Sequence, residues 1–405
     1  MKIRLVQQVI DAIRGKGRKK KVSLYENGEL KIIKVRQKSK YDIKAEQEEK
    51  KLKKFTKEYI PPQNTYKKVI CACGFGDSGS GAVTDLLSEF DNITVIGDHD
   101  IHGGSPLSKD KKVPRFEVDI FRCYGGLFDL EGAFEPVTHT SIVKILAFLN
   151  AMEYYYKTPR YHICNDKFME LVYEFIDNIT TGKIEASNPL DGDNAFIFRQ
   201  GPDEEAYSNI YNPFVFDRLK KRYYWMPKDI TKKQYRAYAK EFITKFLNTI
   251  ESKEYLALDQ FVALCGCDFG IFKEYIDNCK IITIYRDPRD VYCQAMLVNH
   301  LWVPSDPDEF ITWYKGSHID KYISANDPDH LCVRFEDTIF DYENTTDKII
   351  NLLEIDKSHH INKKVQFRPE FSKRNVGLYK AFENQDIIKY IEDNLKEFCY
   401  YGKND

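Results

Sequence analysis

Residues 69–81 read Val69-Ile70-Cys71-Ala72-Cys73-Gly74-Phe75-Gly76-Asp77-Ser78-Gly79-Ser80-Gly81. The first five residues are an apolar run with the length of a buried strand, and a glycine-rich turn follows them. Beyond the turn, one apolar stripe recurs at helical spacing through Ala82, Val83, Leu86, Leu87 and Phe90. The stretch therefore predicts a strand, a loop and a helix in succession, which is how an α/β unit begins.

The same unit recurs later in the chain. Residues 281–285 are a second apolar run, residues 286–290 form a turn, and a helix is predicted through Val291, Ala295 and Val298. Short apolar runs predict further strands at 94–97, 255–258 and 331–335, and residues 234–250 have helical spacing. Strands alternating with helices predict an α/β fold with a mostly parallel central sheet flanked by helices, similar to P-loop nucleotide-binding folds. Ligands of such folds bind beyond the carboxyl ends of the strands.

Charge is distributed unevenly along the chain. Residues 1–66 hold 19 Lys and Arg against 8 Asp and Glu, whereas the remaining residues hold 42 against 54. We therefore predict a small basic N-terminal extension, residues 1–62, and an α/β domain, residues 63–405, with a helical insertion at about 120–250. The acidic domain argues against nucleic acid as a partner, because affinity for a phosphate backbone requires clustered cations on the binding domain.

Three features are predicted in the basic extension. Apolar residues at helical spacing up to Ile13 predict a basic amphipathic helix, Asn27-Gly28 predicts a tight β-hairpin turn, and residues 38–57 predict a charged helix or linker. Residues 1–21 could lie on an anionic membrane surface as a peripheral contact, or the helix could pack on the protein itself.

The expected compartment is the cytoplasm. No apolar window approaches the roughly 20 residues that span a bilayer, no secretory signal is visible, and ten cysteines in 405 residues do not make a disulfide scaffold. If the basic helix binds lipid, the inner face of the membrane is the expected location. The Cys-x-Cys pairs have poor spacing for zinc, so no metal is expected.

The glycine-rich loop predicts an anion site. Its glycines and serines let backbone N–H groups converge at the positive end of the following helix. A nucleoside-triphosphate P-loop requires Gly-Lys followed by Ser or Thr, whereas Ser80 and Gly81 follow Gly79, which argues against an ATPase. The loop also matches G-x-G-x-x-G, and Asp98 follows about 20 residues later, so an NAD(P)-dependent oxidoreductase is an alternative.

Four segments occur in a fixed order along residues 67–400. They are Asp77-Ser78-Gly79-Ser80-Gly81, Arg286-Asp287-Pro288-Arg289-Asp290-Val291, Val333-Arg334-Phe335-Glu336-Asp337, and Ser372-Lys373-Arg374-Asn375-Val376-Gly377. Together they resemble the signatures of the sulfotransferases that use 3′-phosphoadenosine 5′-phosphosulfate (PAPS). The dinucleotide interpretation accounts only for the first segment.

The resemblance implies which residues hold the donor nucleotide. The loop would hold the 5′-phosphosulfate through Gly76, Asp77, Ser78, Gly79, Ser80 and Gly81. Arg286 would grip the 3′-phosphate with help from Lys373, Arg374 and Gln294, the last of which replaces the family's usual Ser. The structural alternative for Arg286 is a surface ion pair with Asp287 or Asp290.

Asp77 departs from the family, which usually has Lys or Arg at that position. Sulfuryl transfer depends on positive charge around the transferring group. Either another cation, from Lys373, Lys380 or Lys144, enters the site, or the protein is slow, specialised or a catalytically silent nucleotide-binding protein.

The acceptor must lose a proton as it attacks, so a catalytic base is expected. The candidates are Glu117 and Asp119, which would share one strand face, and His99 with His102. Asp259-Gln260 is another candidate for acceptor contact at the same edge of the sheet. The expected activity is transfer of a sulfuryl group from PAPS to an acceptor hydroxyl or amine. A cell-surface glycan or a lipid-linked saccharide would agree with the long insertion and the basic N-terminal helix.

Overall fold

The computed structural model describes residues 19–26, 29–36, 62–96, 120–121, 125–134, 137, 139–157, 166–186, 222–261, 269–299, 303–317 and 327–402. The chain divides into two compact units. One is Met1–Pro61 with Asp229–Tyr235, and the other is Pro62–Lys228 with Arg236–Asp405. The predicted helix ending at residue 13, residues 38–57 and the candidates Asp98, His99, His102, Glu117 and Asp119 lie outside the described residues.

The first unit contains a β-hairpin. Strand β1, Lys19–Glu26, pairs antiparallel with β2, Glu29–Arg36, and Glu26 lies opposite Glu29. The register leaves two residues for the connection, the length that Asn27-Gly28 favours.

The strands of the second unit are β3 Lys68–Gly74, β4 Ile93–Ile96, β5 Thr180–Ala186, β6 Arg222–Pro227, β7 Tyr255–Asp259, β8 Cys279–Tyr285 and β9 His330–Arg334. The described helices are α1 Ser80–Leu87, α2 Leu127–Glu131, α3 His139–Lys157, α4 Asp166–Ile179, α5 Lys232–Leu247, α6 Phe269–Lys273, α7 Pro288–Val298, α8 Pro307–Tyr314, α9 Phe335–Phe340, α10 Tyr342–Leu353, α11 Pro369–Ser372 and α12 Gln385–Leu395. Within the described residues, no helix has both the length and the apolar character needed to cross a bilayer.

A central sheet of five strands has the order β4, β7, β3, β8, β9, and all its neighbours are parallel. This confirms the predicted α/β fold with a mostly parallel sheet flanked by helices. The carboxyl ends of β7, β3 and β8 are adjacent, so the segments that follow these strands meet at one edge. The chain leaves β3 towards β4 on one side while β8 lies on the other, which is the arrangement that opens a ligand crevice.

Burial explains why the strands read as apolar runs. Ile70 and Ala72 of β3 face a core formed with α1, α9 and α10, whereas Cys71 and Cys73 point to the opposite face and are also buried. A strand covered on both faces needs apolar residues throughout. A second core packs α7, α8 and α12 together.

The region 120–250 was predicted to be helical and contains more than helices. Its described core is largely aromatic, with Phe148, Phe168, Phe175, Phe242 and Phe246 buried. It also contains an antiparallel pair of strands, β5 with β6. The prediction missed these strands because they pair across residues 187–221, so no two-residue hairpin turn marks them in the sequence.

Candidate functional site

Left-handed backbone conformations shape the loop between β3 and α1. Asp77 has φ 62° and Gly79 has φ 90°. Between them, the Ser78 N–H donates to the Phe75 carbonyl at 3.0 Å. Alternating conformations of this kind turn successive N–H groups towards one concave surface, which suits an anion. No described side chain caps the first turn of α1, so N–H groups there are open to a ligand.

Two glycines of the loop have no room for a side chain. A Cβ on Gly74 would collide with Ser78 Oγ, and a Cβ on Gly79 would lie 2.6 Å from the Phe335 ring. A Cβ on Gly81, by contrast, would meet nothing within 4 Å. Close packing therefore requires glycine at 74 and 79 but not at 81.

The two serines of the loop, Ser78 and Ser80, differ in their hydrogen bonds. Ser78 is fully buried, and its hydroxyl has no hydrogen-bond partner among the described residues. Ser80 Oγ accepts a hydrogen bond from Gln260 Nε2 at 2.8 Å, which leaves the Ser80 proton to donate elsewhere. Because buried polar groups are normally paired, the Ser78 hydroxyl fits a loop that completes its bonding with a ligand.

Arg286 joins the loop to the C-terminal segment. It follows β8 directly and is 3% exposed. Its Nη1 donates to the Asp77 carbonyl at 3.0 Å, and its Nη2 donates to the Asn375 carbonyl. The Phe335 ring lies 5.1 Å from the guanidinium, and Nε is buried with no partner among the described residues. The alternative of a surface ion pair is therefore wrong, because the guanidinium is buried and its hydrogen bonds go to backbone carbonyls.

Asp287 and Arg289, which follow Arg286 in sequence, bind Tyr400 near the last described residue. The Asp287 carboxylate accepts from Arg289 Nη2 at 2.6 Å and from the Tyr400 N–H at 2.7 Å. Arg289 also donates to the Tyr400 carbonyl at 3.1 Å. Both side chains are almost completely buried. This pair fixes the last described residues of the chain beside the turn that carries Arg286.

A buried acid lies behind that turn. Glu336, in the first turn of α9, is fully buried, and its Oε1 accepts from the Asp287 N–H at 2.9 Å. Its Oε2 has no partner among the described residues. Burial raises the pKa of the Glu336 carboxyl to about 7.

This raised pKa predicts a pH-dependent stability. The folded state retains a proton that the unfolded chain releases near its ordinary carboxyl pKa, so stability is greatest below that value and falls as pH rises towards 7. The variant Glu336→Gln keeps an acceptor for the Asp287 N–H but cannot release this proton. Between pH 5 and pH 8 we expect its free energy of unfolding to fall by roughly 2–3 kcal/mol less than that of wild type. Urea unfolding at pH 5 and pH 8 measures it. An equal decline in wild type and variant would contradict the assignment.

The basic residues predicted to help Arg286 lie on the same segment as Asn375. Lys373 and Arg374 are exposed in a short 3₁₀ turn, Lys373–Asn375. Arg374 borders an open cavity of about 1070 Å³ together with Leu297 and residues 376–378 and 381–387. Gln294 is half-buried on α7. The structure thus brings the second and fourth sequence segments together.

The three lysines considered as an offset for the charge of Asp77 differ in their surroundings. Lys144 Nζ pairs with Asp129 Oδ1 at 2.9 Å, and Lys373 Nζ lies 5.8 Å from the Phe340 ring. Lys380 is exposed beside Gly377.

The residues proposed for proton transfer are only partly described. His99 and Glu117 lie outside the described residues, so their roles stay predictions. Asp259 is described at the end of β7, where it is 8% exposed. Gln260, which sequence analysis placed at this edge as a candidate for acceptor contact, bonds to Ser80 of the loop. The bond to the loop was not predicted, because the sequence does not show which strand lies beside β3.

The sheet order bears on the dinucleotide alternative. In dinucleotide-binding folds the second strand lies beside the first, and its end presents the acid that binds ribose. Here β7 lies between β3 and β4, so the second strand is two strand spacings, about 10 Å, from the first. This order does not fit the dinucleotide interpretation, in which Asp98 would follow an adjacent strand.

No protein-family model matches the sequence, and no curated protein matches it. Among solved structures, the chain is similar to the sulfotransferase STF9 from Mycobacterium avium, with 10% identity, 83% of this chain and 76% of that chain covered, and a TM-score of 0.34. It is also similar to a retinol dehydratase in complex with androsterone and the inactive cofactor PAP, with 14% identity, 98% and 96% covered, and a TM-score of 0.32.

Proposed function

We propose that this protein is a PAPS-dependent sulfotransferase that moves a sulfuryl group to a hydroxyl or amine. The observation that carries the proposal is the position of Arg286. Its buried guanidinium touches both predicted anion-binding segments, through the carbonyls of Asp77 and Asn375. A donor with phosphate at both ends needs two anion sites at neighbouring strand ends, one formed by backbone N–H groups and one by guanidinium groups.

The described residues fit such a donor. The unpartnered Ser78 hydroxyl, the open N–H groups before α1 and the Ser80 proton would hold the 5′ end. Arg286 Nε, with Arg374 and Lys373 beside it, would hold the 3′-phosphate. When bound, PAPS supplies a sulfuryl group whose bond to the 5′-phosphate oxygen breaks as the acceptor's oxygen or nitrogen bonds to sulfur. The acceptor's proton passes to a base, for which Glu117 and His99 are the predicted candidates.

Calorimetric titration tests the donor class. We expect adenosine 3′,5′-bisphosphate to bind and NAD to bind at least about 100-fold more weakly. The opposite preference would favour the oxidoreductase, and binding of neither nucleotide would refute the proposal.

A catalytically silent nucleotide-binding protein is the second candidate, and Asp77 favours it. The loop places an acid where the transferring group needs positive charge. Asp77→Lys should raise the rate of adenosine 3′,5′-bisphosphate release from PAPS by about 10- to 100-fold, because a cation stabilises the transition state. Asp77→Asn, which only removes the acid, should give a smaller gain. A Lys variant no faster than the Asn variant would contradict this explanation.

The proposed acceptor is a saccharide. A glycan or lipid-linked saccharide suits the long insertion, and the basic residues 1–21 suit contact with an anionic membrane. Sedimentation with anionic vesicles, with and without residues 1–21, tests the membrane part. Unchanged binding on truncation would remove it.

A further inference from the structure

We infer that Asp290 is a positioning residue that sets the C-terminal loop for recognition of the donor's 3′-phosphate. This inference rests on the proposed function. The C-terminal loop is defined here as residues 373–381. It consists of two short 3₁₀ turns, Lys373–Asn375 and Leu378–Ala381, joined through Gly377 at φ 82°.

Asp290 binds the backbone of this loop from the first turn of α7. Its Oδ2 accepts from the Gly377 N–H at 2.7 Å, and its Oδ1 accepts from the Tyr379 N–H at 3.2 Å. The side chain is fully buried. Both carboxylate oxygens are therefore used on two backbone positions of one loop, which fixes the loop's orientation as well as its distance from α7.

The neighbours of Asp290 hold the same loop. The Arg289 guanidinium lies 3.9 Å from the centre of the Tyr379 ring. Arg286 donates to the Asn375 carbonyl, immediately after Arg374. Residues 286–290 thus contact the loop at three positions, Asn375, Gly377 and Tyr379, and place Lys373 and Arg374 next to the residue proposed to bind the 3′-phosphate.

A carboxylate beside a phosphate site needs a reason, because like charges repel. The two N–H groups stabilise the Asp290 charge and direct its oxygens at the loop backbone. Loss of this acceptor would leave two N–H groups without their partner and let the basic pair move away from Arg286. The effect should therefore fall on the 3′-phosphate and not on the 5′ end, which the glycine loop would hold.

The test compares adenosine 3′,5′-bisphosphate with adenosine 5′-monophosphate, which lacks the 3′-phosphate. In Asp290→Asn, the amide can accept from one N–H but presents a donor to the other. We expect its affinity for the bisphosphate to fall about 10- to 100-fold. Affinity for the monophosphate should stay within about twofold of wild type.

A second variant covers the case in which Asp290→Asn does not fold. In Gly377→Ala the added Cβ has room, at 3.7 Å from the Lys380 side chain. The strain expected from this variant is therefore the positive φ of residue 377, which lies within the C-terminal loop. It should reduce bisphosphate affinity selectively as well. Glu89→Gln is the matched control, because that buried carboxylate also accepts from backbone, the Phe367 N–H at 3.2 Å, but lies outside the C-terminal loop. It should leave the ratio of the two affinities unchanged.

The outcomes distinguish failure of the Asp290 positioning role from failure of the proposed function. Equal loss of both ligands, or no loss of either, in Asp290→Asn and Gly377→Ala would overturn the positioning role. If wild type itself shows no preference for the 3′-phosphate, the proposed function fails and this inference fails with it.

Discussion

Arg286→Ala is expected to weaken binding of adenosine 3′,5′-bisphosphate by at least about 100-fold. The variant removes a buried guanidinium whose proposed charge-assisted hydrogen bonds to phosphate would each be worth roughly 1.5–3 kcal/mol. It also leaves the carbonyls of Asp77 and Asn375 without the donor that joins them. Calorimetry gives the affinity, and thermal unfolding shows whether the variant is folded at the temperature used.

Two further variants serve as comparisons for Arg286→Ala. Arg286→Lys keeps the charge but cannot reach two carbonyls and a phosphate with one ammonium group, so an intermediate affinity is expected. Arg236→Ala removes an arginine that binds the Glu131 carboxylate at 2.8 and 3.0 Å. This control should lower stability and leave nucleotide affinity unchanged. If Arg286→Ala binds the bisphosphate as wild type does, the proposed function is wrong.

The sheet could be predicted from sequence because its strands are buried on both faces. β3, β7 and β8 read as continuous apolar runs, and the glycine loop marks the point where the first of them ends. Their order across the sheet could not be read from the runs. The order matters for function, because the position of β7 between β3 and β4 does not fit the dinucleotide interpretation.

The C-terminal contacts of the Arg-Asp-Pro-Arg-Asp turn could not be predicted. Charged residues are rarely fully buried, so a short run of them suggests a surface turn. Arg286, Asp287, Arg289 and Asp290 are all 3% exposed or less. They can be buried because each finds partners in residues 375–400, roughly 90 to 110 positions later. No local pattern carries that information. The resemblance to sulfotransferases pointed to Arg286 and gave no role for the other three.

Gly79→Ala is expected to be strongly destabilising. At φ 90° an alanine costs about 1–2 kcal/mol, and forcing its Cβ to within 2.6 Å of the Phe335 ring adds roughly 1–3 kcal/mol. The Phe335 ring also lies against the Arg286 guanidinium, so nucleotide affinity should fall as well. Gly81→Ala is the matched control. It adds the same methyl group two residues away in open space, and should be neutral or up to about 1 kcal/mol stabilising.

The two causes in Gly79→Ala can be separated by relieving only one of them. Phe335→Leu removes the ring that the new Cβ would meet, but it cannot change the backbone angle at residue 79. In the double variant we therefore expect recovery of the roughly 1–3 kcal/mol of unfolding free energy that the steric clash costs. The cost of the left-handed backbone at residue 79 should remain. Denaturant unfolding of the four proteins in this cycle measures the coupling. Complete additivity would mean that Phe335 does not constrain the loop, and the close approach between α9 and the glycine loop would then have no energetic role.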